Sequence, residues 1–298
     1  MDLRTRKTLQ RTGNKVLHYS ILLALALFTC YPFLWLLNTA LGTEGGVFDF
    51  PPPLLPRGLT LEHFRQVFEQ FSIGTFFKNS VWISVWTIFW TLFLSSTAAY
   101  ALSRMRFPGR NLVFTIIVVS MMLPAEVNFL PNYVIMAKLN QLMMWLADST
   151  GWEALASIKF ADGHLGVILP TVATGFGIFL MKQAFEEIPQ DLIDAARIDG
   201  ASEFAIFYKV VLPLTRPHLA ALAIFTLVSS WNNFMWPSIV LTSPDQYPMA
   251  TGVLQLFGAF QSSFRLTAAG CVIAIVPILL VFVFTQRYFM RGMEGAVK

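Results

Sequence analysis

"DLIDAARIDGASEFAIFYKVVLPLTRP" (Asp191–Pro217) carries charges, small residues and turn signals, yet the chain on both sides of it is apolar enough to lie in a membrane. Pro189 suits the first turn of a helix, and Glu186, Glu187 and Asp191 sit near the positive end of that helix. Gly200 suits the position just past a helix end, where the backbone turns left-handed. The spacing predicts a helix over 189–199, about three turns and roughly 16 Å long at a rise of about 1.5 Å per residue. Ser202 fits as the cap of a second helix, EFAIFYKVVL, which Pro213 and Pro217 end. Ala195 and Ala196 are small enough to let another surface approach the backbone, with Leu192 and Ile198 as apolar contacts. The hairpin over 189–213 is either a connector folded back on its own bundle or a docking element, and its residues alone leave both open.

The rest of the chain fixes the class. Of 298 residues, 55% are hydrophobic and only 13% charged, with a mean hydropathy of +0.60, which describes an integral membrane protein rather than a soluble domain. A helical crossing of the hydrocarbon takes about 20 residues. Runs of that kind fall at 16–38, 76–102, 111–131, 164–182, 218–240 and 267–286, giving an all-α chain of six spans. Arg4, Arg6, Lys7, Arg11 and Lys15 precede the first run much as in a signal peptide, but the run exceeds the roughly 7–15 apolar residues such a peptide uses. It is expected to remain as a span. Residues 1–15 then form a short N-terminal segment, and 16–298 a single transmembrane domain.

Lysine and arginine set the orientation. With the N-terminus in the cytoplasm, 15 of the 21 fall in inside segments, and only Arg57, Arg65, Lys78, Lys138, Lys159 and Arg265 fall outside. Both termini and the hairpin are expected to be cytoplasmic. The formal net charge of +4 is thus a topology signal and gives no reason to expect nucleic acid. On the outer side, Leu61, Phe64, Val67, Phe68 and Phe71 recur at helical spacing after Thr60, as in an interfacial amphipathic helix, and the loop 132–163 has room for another short helix.

The search for reaction chemistry is negative. His18, His63, His164 and His218 are scattered without ligand spacing, Cys30 and Cys271 lie singly in apolar runs, and no phosphate-cradling loop or nucleophile elbow occurs. The chain is expected to have no active site, no metal and no cofactor of its own. Polar residues within spans mark a candidate passage: Glu126, Thr171, Thr174, Asn232 and Asn233, with Trp231 beside them. The plainer reading is that Asn and Thr join helices by hydrogen bonds and Glu126 lies near the headgroups.

The segment DAARIDGASEFAIFYKVVLPLTRP resembles the cytoplasmic EAA motif of membrane subunits from binding-protein-dependent ABC importers. Asp194, Ala195 and Ala196 match its opening triplet, with Asp where Glu is usual, and Gly200 matches its glycine. FFKNSVWIS, AAYALSRMRFPGR, LPAEVNFLPNYVIM, WNNFMWPSIVL and QRYFMRGMEGAVK extend the likeness to the carbohydrate-uptake branch, specifically the smaller permease of the maltose-type pair. The resemblance implies a six-helix type I importer permease fold in the inner membrane. It also implies that Asp194, Ala195, Ala196, Ile198, Asp199 and Gly200 form a coupling helix seated in a cleft of a cytoplasmic ATPase. The implied partners are a second permease, two ATPase subunits that hold ATP and Mg, and an extracytoplasmic solute-binding protein. The tail from Gly295 to Lys298 is expected to reach toward the ATPase dimer interface.

Relatives of this kind carry neutral sugars and glycosides or glycerol 3-phosphate. No Lys or Arg lies in the middle of a span and Glu126 would repel an anion, so a neutral carbohydrate is expected. Two other classes remain, a polytopic membrane enzyme and a stand-alone secondary transporter. The first lacks a polar cluster at one membrane face, and the second lacks an internal repeat.

Overall fold

The computed structural model describes residues 3–43, 56, 58–259 and 263–294, and their side chains except those of 3–13, 257, 259 and 285–294. The expected tail contact through Gly295 and Lys298 lies outside the described residues. The chain divides into two compact units, 1–71 with 256–275 and 72–255 with 276–298. No β-strand occurs among the described residues.

In the first unit, α1 (Leu3–Leu41) leads to α2 (Glu62–Gln70). Every residue from Asn14 to Leu34 is exposed within this chain. Thr60, one position before the Leu61 N-cap of α2, accepts the Glu62 N–H at 3.0 Å. Val67 of α2 is fully buried, while Phe68 stays exposed. His63 Nδ1 lies 2.9 Å from the Ala40 carbonyl and joins the two helices.

The second unit is organised by α3 (Ile73–Arg104), whose two faces differ in chemistry. Ser80, Ser84, Thr87, Thr91 and Ser95 are buried along one face. Their small side chains let neighbouring backbones approach closely, which drives helix packing where water is absent. Trp82, Trp86, Phe89, Trp90 and Phe93 run edge to face along an exposed face. The remaining helices are α4 (Arg110–Ser120), α5 (Phe129–Thr150), α6 (His164–Val172), α7 (Gly175–Glu186), α8 (Gln190–Ile198) and α9 (Glu203–Ile206). They continue through a π turn, Phe207–Val211, to α10 (Leu212–Leu214), α11 (Arg216–Asn232) and α12 (Met235–Val240). Last come α13 (Met249–Ala259) and α14 (Phe264–Glu294).

Three expected spans, 16–38, 76–102 and 267–286, lie inside continuous helices that are long and apolar enough to cross a membrane. The other three are broken by bends in or beside the expected run, a feature the run lengths did not announce. The run 111–131 stops as a helix at Ser120, and the chain turns by 101° into α5. Pro124, extended at ψ 132°, has no N–H to continue the ladder. The supposed loop from 132 therefore begins inside a helix of 22 residues. The run 164–182 bends by 44° between α6 and α7. Near the fifth run the chain bends by 78° before α11 and breaks again after Asn232.

Two apolar clusters hold this unit together. One joins Ala99, Met181, Phe185, Ile193, Ile206 and Leu222 where α3 and α7 end. The other joins Ile83, Met136, Val167, Trp236 and Leu241.

Candidate functional site

The break in the fourth span is built from residues that cannot continue a helix. Pro170 has no N–H to donate to the carbonyl of Gly166, which instead accepts the indole N–H of Trp236 at 3.0 Å. Thr174 is extended and accepts the Gly177 N–H at 3.1 Å, starting α7 afresh. A Cβ on Gly177 would press on Ser95 Oγ and Thr174 Oγ1. The Asn233 side chain accepts the Trp236 N–H at 3.4 Å and so begins α12 after α11 has ended.

These two breaks face each other across a pair of adjoining cavities of about 550 and 310 Å³. The larger brings together Glu126, Thr171, Thr174, Asn232 and Asn233, five of the six residues read from the sequence as a passage. The smaller shares Thr171, Thr174, Ser229 and Asn233 with it and adds Thr87, Thr226 and Ser230, backed by Phe176 and Phe225. Neither is lined by Lys or Arg. Thr171 spends its hydroxyl proton on the carbonyls of Val167 and Ile168, at 3.2 and 2.8 Å, and presents only lone pairs. Trp231 lies apart from both linings, buried and edge-on to Phe77. Its neighbours Ser229 and Ser230 line the smaller cavity instead. They precede the WNN stretch and were legible as hydroxyls on α11, but without knowledge of which face of the helix opens inward.

The hairpin has the predicted turn but not the predicted end: Pro213 lies inside α10 and Pro217 in the first turn of α11, where a missing N–H costs no helix bond, so neither ends the second helix. Gly200 adopts φ +80°, and Ser202 Oγ accepts the Ala205 N–H at 3.3 Å. Pro189 caps α8 rather than joining its first turn. On α8, Ile193 is fully buried, and Ala196 is half-buried against the apolar cluster of its own chain. Ala195, Asp199 and Leu192 face outward, with Ile198 86% exposed. The small outward residue is thus Ala195 rather than the Ala195–Ala196 pair. Asp194 accepts from Gln190 at 3.0 Å and from Arg197 at 3.1 Å. Glu203 on α9 and Asp194 hold the Arg197 guanidinium even more firmly protonated than usual.

The chain has relatives of known role. Residues 91–295 match the model of the family described as "Binding-protein-dependent transport system inner membrane component". The arabinooligosaccharides transport permease AraQ of Halalkalibacterium halodurans is 38% identical over 245 residues, 82% of this chain and 81% of that one. The lactose transport permease LacG of Rhizobium radiobacter is 30% identical over 98% of this chain and 99% of its own. The sn-glycerol-3-phosphate permease UgpE of Salmonella choleraesuis is 28% identical over 97% and 99%. In shape the chain is similar to one in the crystal structure of a bacterial ABC transporter that imports alginate, with a TM-score of 0.73, 24% identity, and coverage of 94% of this chain and 98% of that one. The broken spans, the hairpin and these likenesses agree: this chain belongs to the family of inner-membrane permease components of binding-protein-dependent ABC importers.

Proposed function

We propose that the chain forms half of the passage of an ATP-driven carbohydrate importer, for a neutral sugar or glycoside. The observation that carries the solute class is the lining of the two cavities: hydroxyls, amides and aromatic rings, without Lys or Arg. Hydroxyl and amide groups pair with sugar hydroxyls, and aromatic faces such as Phe176 and Phe225 suit the apolar faces of a sugar ring. A phosphate dianion would need cations that these two cavities do not offer, and Glu126 would oppose it. That AraQ and LacG are named for oligosaccharide and lactose transport supports the same reading. Glycerol 3-phosphate, for which UgpE is named, is the second reading.

In this reading a second permease supplies the other half, and an extracytoplasmic binding protein delivers the solute. The complex has two ATPase subunits, which hold ATP and Mg, and one of them docks on α8 through Asp194, Ala195, Ile198, Asp199 and Gly200. Both termini and the hairpin face the cytoplasm, as the Lys and Arg distribution favours. The permease itself is no enzyme and binds no cofactor. The test is to reconstitute the complex with its binding protein and compare stimulation of hydrolysis by neutral disaccharides or glycosides with that by glycerol 3-phosphate. Neutral sugars are expected to stimulate; stimulation by the phosphate ester alone would replace the solute assignment with the second reading.

A further inference from the structure

The polar side chains of the hairpin do not end on α8. Arg197 Nε and Nη2 both reach Glu203 Oε1, at 2.9 and 2.8 Å, and the Tyr100 hydroxyl donates to Glu203 Oε2 at 2.6 Å. At the other end of α8, Arg104 Nη1 donates to Gln190 Oε1 at 2.8 Å, and Gln190 in turn donates to Asp194. Tyr100 and Arg104 stand four residues apart, one above the other on the same face of α3. The six side chains Tyr100, Glu203, Arg197, Asp194, Gln190 and Arg104 therefore close a ring across α3, α8 and α9. Arg104 also donates through Nη2 to the carbonyls of Ile188, at 2.6 Å, and Phe185. Those carbonyls lie just at and beyond the end of α7; that of Phe185 also accepts the Ile188 N–H at 3.2 Å.

A nine-residue helix is too short to be stiff by itself. The one fully buried side chain of α8 is Ile193, and an apolar contact is non-directional: it holds a helix down without fixing its angle. Hydrogen bonds at both ends of α8 fix that angle relative to α3, and the ring has the fixed geometry that transmission of a rotation requires. We propose that Tyr100, Arg104, Gln190, Arg197 and Glu203 are positioning residues that bind α8 to the end of α3, so that motion imposed on α8 travels into the span that lines the smaller cavity through Ile83 and Thr87. The proposal rests on the reading of α8 as the ATPase dock. It also gives Asp194 an internal duty, because its carboxylate is already met by Gln190 and Arg197.

The test places spin labels at Asp191→Cys and Met105→Cys, in the assembled importer with Cys30 and Cys271 replaced by serine, and measures the distance distribution together with binding-protein-stimulated hydrolysis. Tyr100→Phe, which removes only a hydroxyl, and Glu203→Ala are each expected to broaden the distribution and lower stimulation by about fivefold or more, the lower end of ordinary coupling between sites. The ATPase subunits should still co-purify, and Glu203→Gln, which keeps an acceptor, should recover most of the stimulation. Unchanged distances and stimulation in both disruptive variants would overturn the ring. Broadened distances with full stimulation would overturn the lever while sparing the dock. An unsubstituted complex that holds no ATPase subunit would strike the docking reading, and the lever would fall with it.

Discussion

At the hairpin, Asp194, Arg197, Glu203 and Tyr100 meet one another over distances of 2.6 to 3.1 Å above a packed apolar cluster. Around Asn233 the same kinds of polar group face a void. Thr171, Thr174 and Ser229 line open space instead of pairing across it, and the helices carrying them are broken there. One region spends its polar groups on one another. The other leaves hydrogen-bonding groups facing open space. Measured along α3, the levels of Thr87 and Tyr100 are 13 residues apart, roughly 20 Å at about 1.5 Å per residue. The difference predicts that the two regions fail in different ways: crowding damages the broken spans, and backbone strain or loss of direction damages the hairpin.

The largest effect is expected from crowding. Gly166 lies where a Cβ would run into the backbone carbonyl of Phe160 and come within 3.2 Å of Val240 Cγ2. A backbone carbonyl gives way less easily than the tip of a side chain. Gly166 also carries the carbonyl that holds Trp236, so a shift there disturbs the start of α12. Gly166→Val should cost about 1–3 kcal/mol or more, the range for overpacked sites. Thermal unfolding in detergent would measure it as a lowered midpoint, and an unchanged midpoint would show that the broken spans yield freely.

Gly200 provides the contrast. Among the described residues beyond its chain neighbours, no atom lies within 4 Å of the position a Cβ would take, but the residue sits at φ +80°. Gly200→Val is therefore expected to cost about 1–2 kcal/mol through the backbone alone, whereas Gly200→Asn, which tolerates that region, should be close to neutral. The readouts are thermal stability and binding-protein-stimulated hydrolysis, with stimulation falling in the valine variant only. Equal losses in both variants would point to contact with a partner rather than strain.

These regions also differ in how far the sequence disclosed them. The hairpin was legible because its signals are local: Gly200 after a helical pattern, Ser202 before another, and the match around Asp194. Five of the six proposed passage residues do meet in one cavity, because polar side chains in an apolar run have few other reasons to be there. The breaks were missed because hydropathy averages over a window. Pro124, Pro170 and the Thr174 cap interrupt hydrogen bonding without lowering apolarity, so bent runs scored as straight ones. That Trp231 packs away from both cavities was not legible, because helical position alone does not say which side of α11 opens to them. The ring was out of reach for a different reason. Its closing bonds join residues 86 and 103 positions apart, and no local pattern announces such a pairing.

The smallest expected effect concerns a carboxylate outside the ring. Asp162 sits before α6 at φ +57°, a region that Asp tolerates better than most residues. Its Oδ1 accepts the N–H groups of Thr242 and Ser243 at 2.8 and 2.9 Å, and Oδ2 accepts the Ser243 hydroxyl at 2.6 Å. Partial burial pushes its pKa up, but those donors from Ser243 and Thr242 outweigh it and hold the value at about 2, below the ordinary 3.8. Since the folded value is depressed, the stabilisation is fully present above pH 3.8 and is lost as pH falls through about 2. In the hairpin, carboxylates are met by arginine; here neutral donors alone keep one ionised. Asp162→Asn retains an acceptor for both N–H groups and an amide that can donate to Ser243, so its cost at neutral pH should stay below about 1 kcal/mol. Thermal midpoints of the two proteins in detergent should differ by a constant amount from pH 7 to pH 5 and converge between pH 4 and pH 2. A gap that widens as the pH falls would mean that Asp162 is stabilised in its protonated form, and that the neutral donors around it do not do what their geometry indicates.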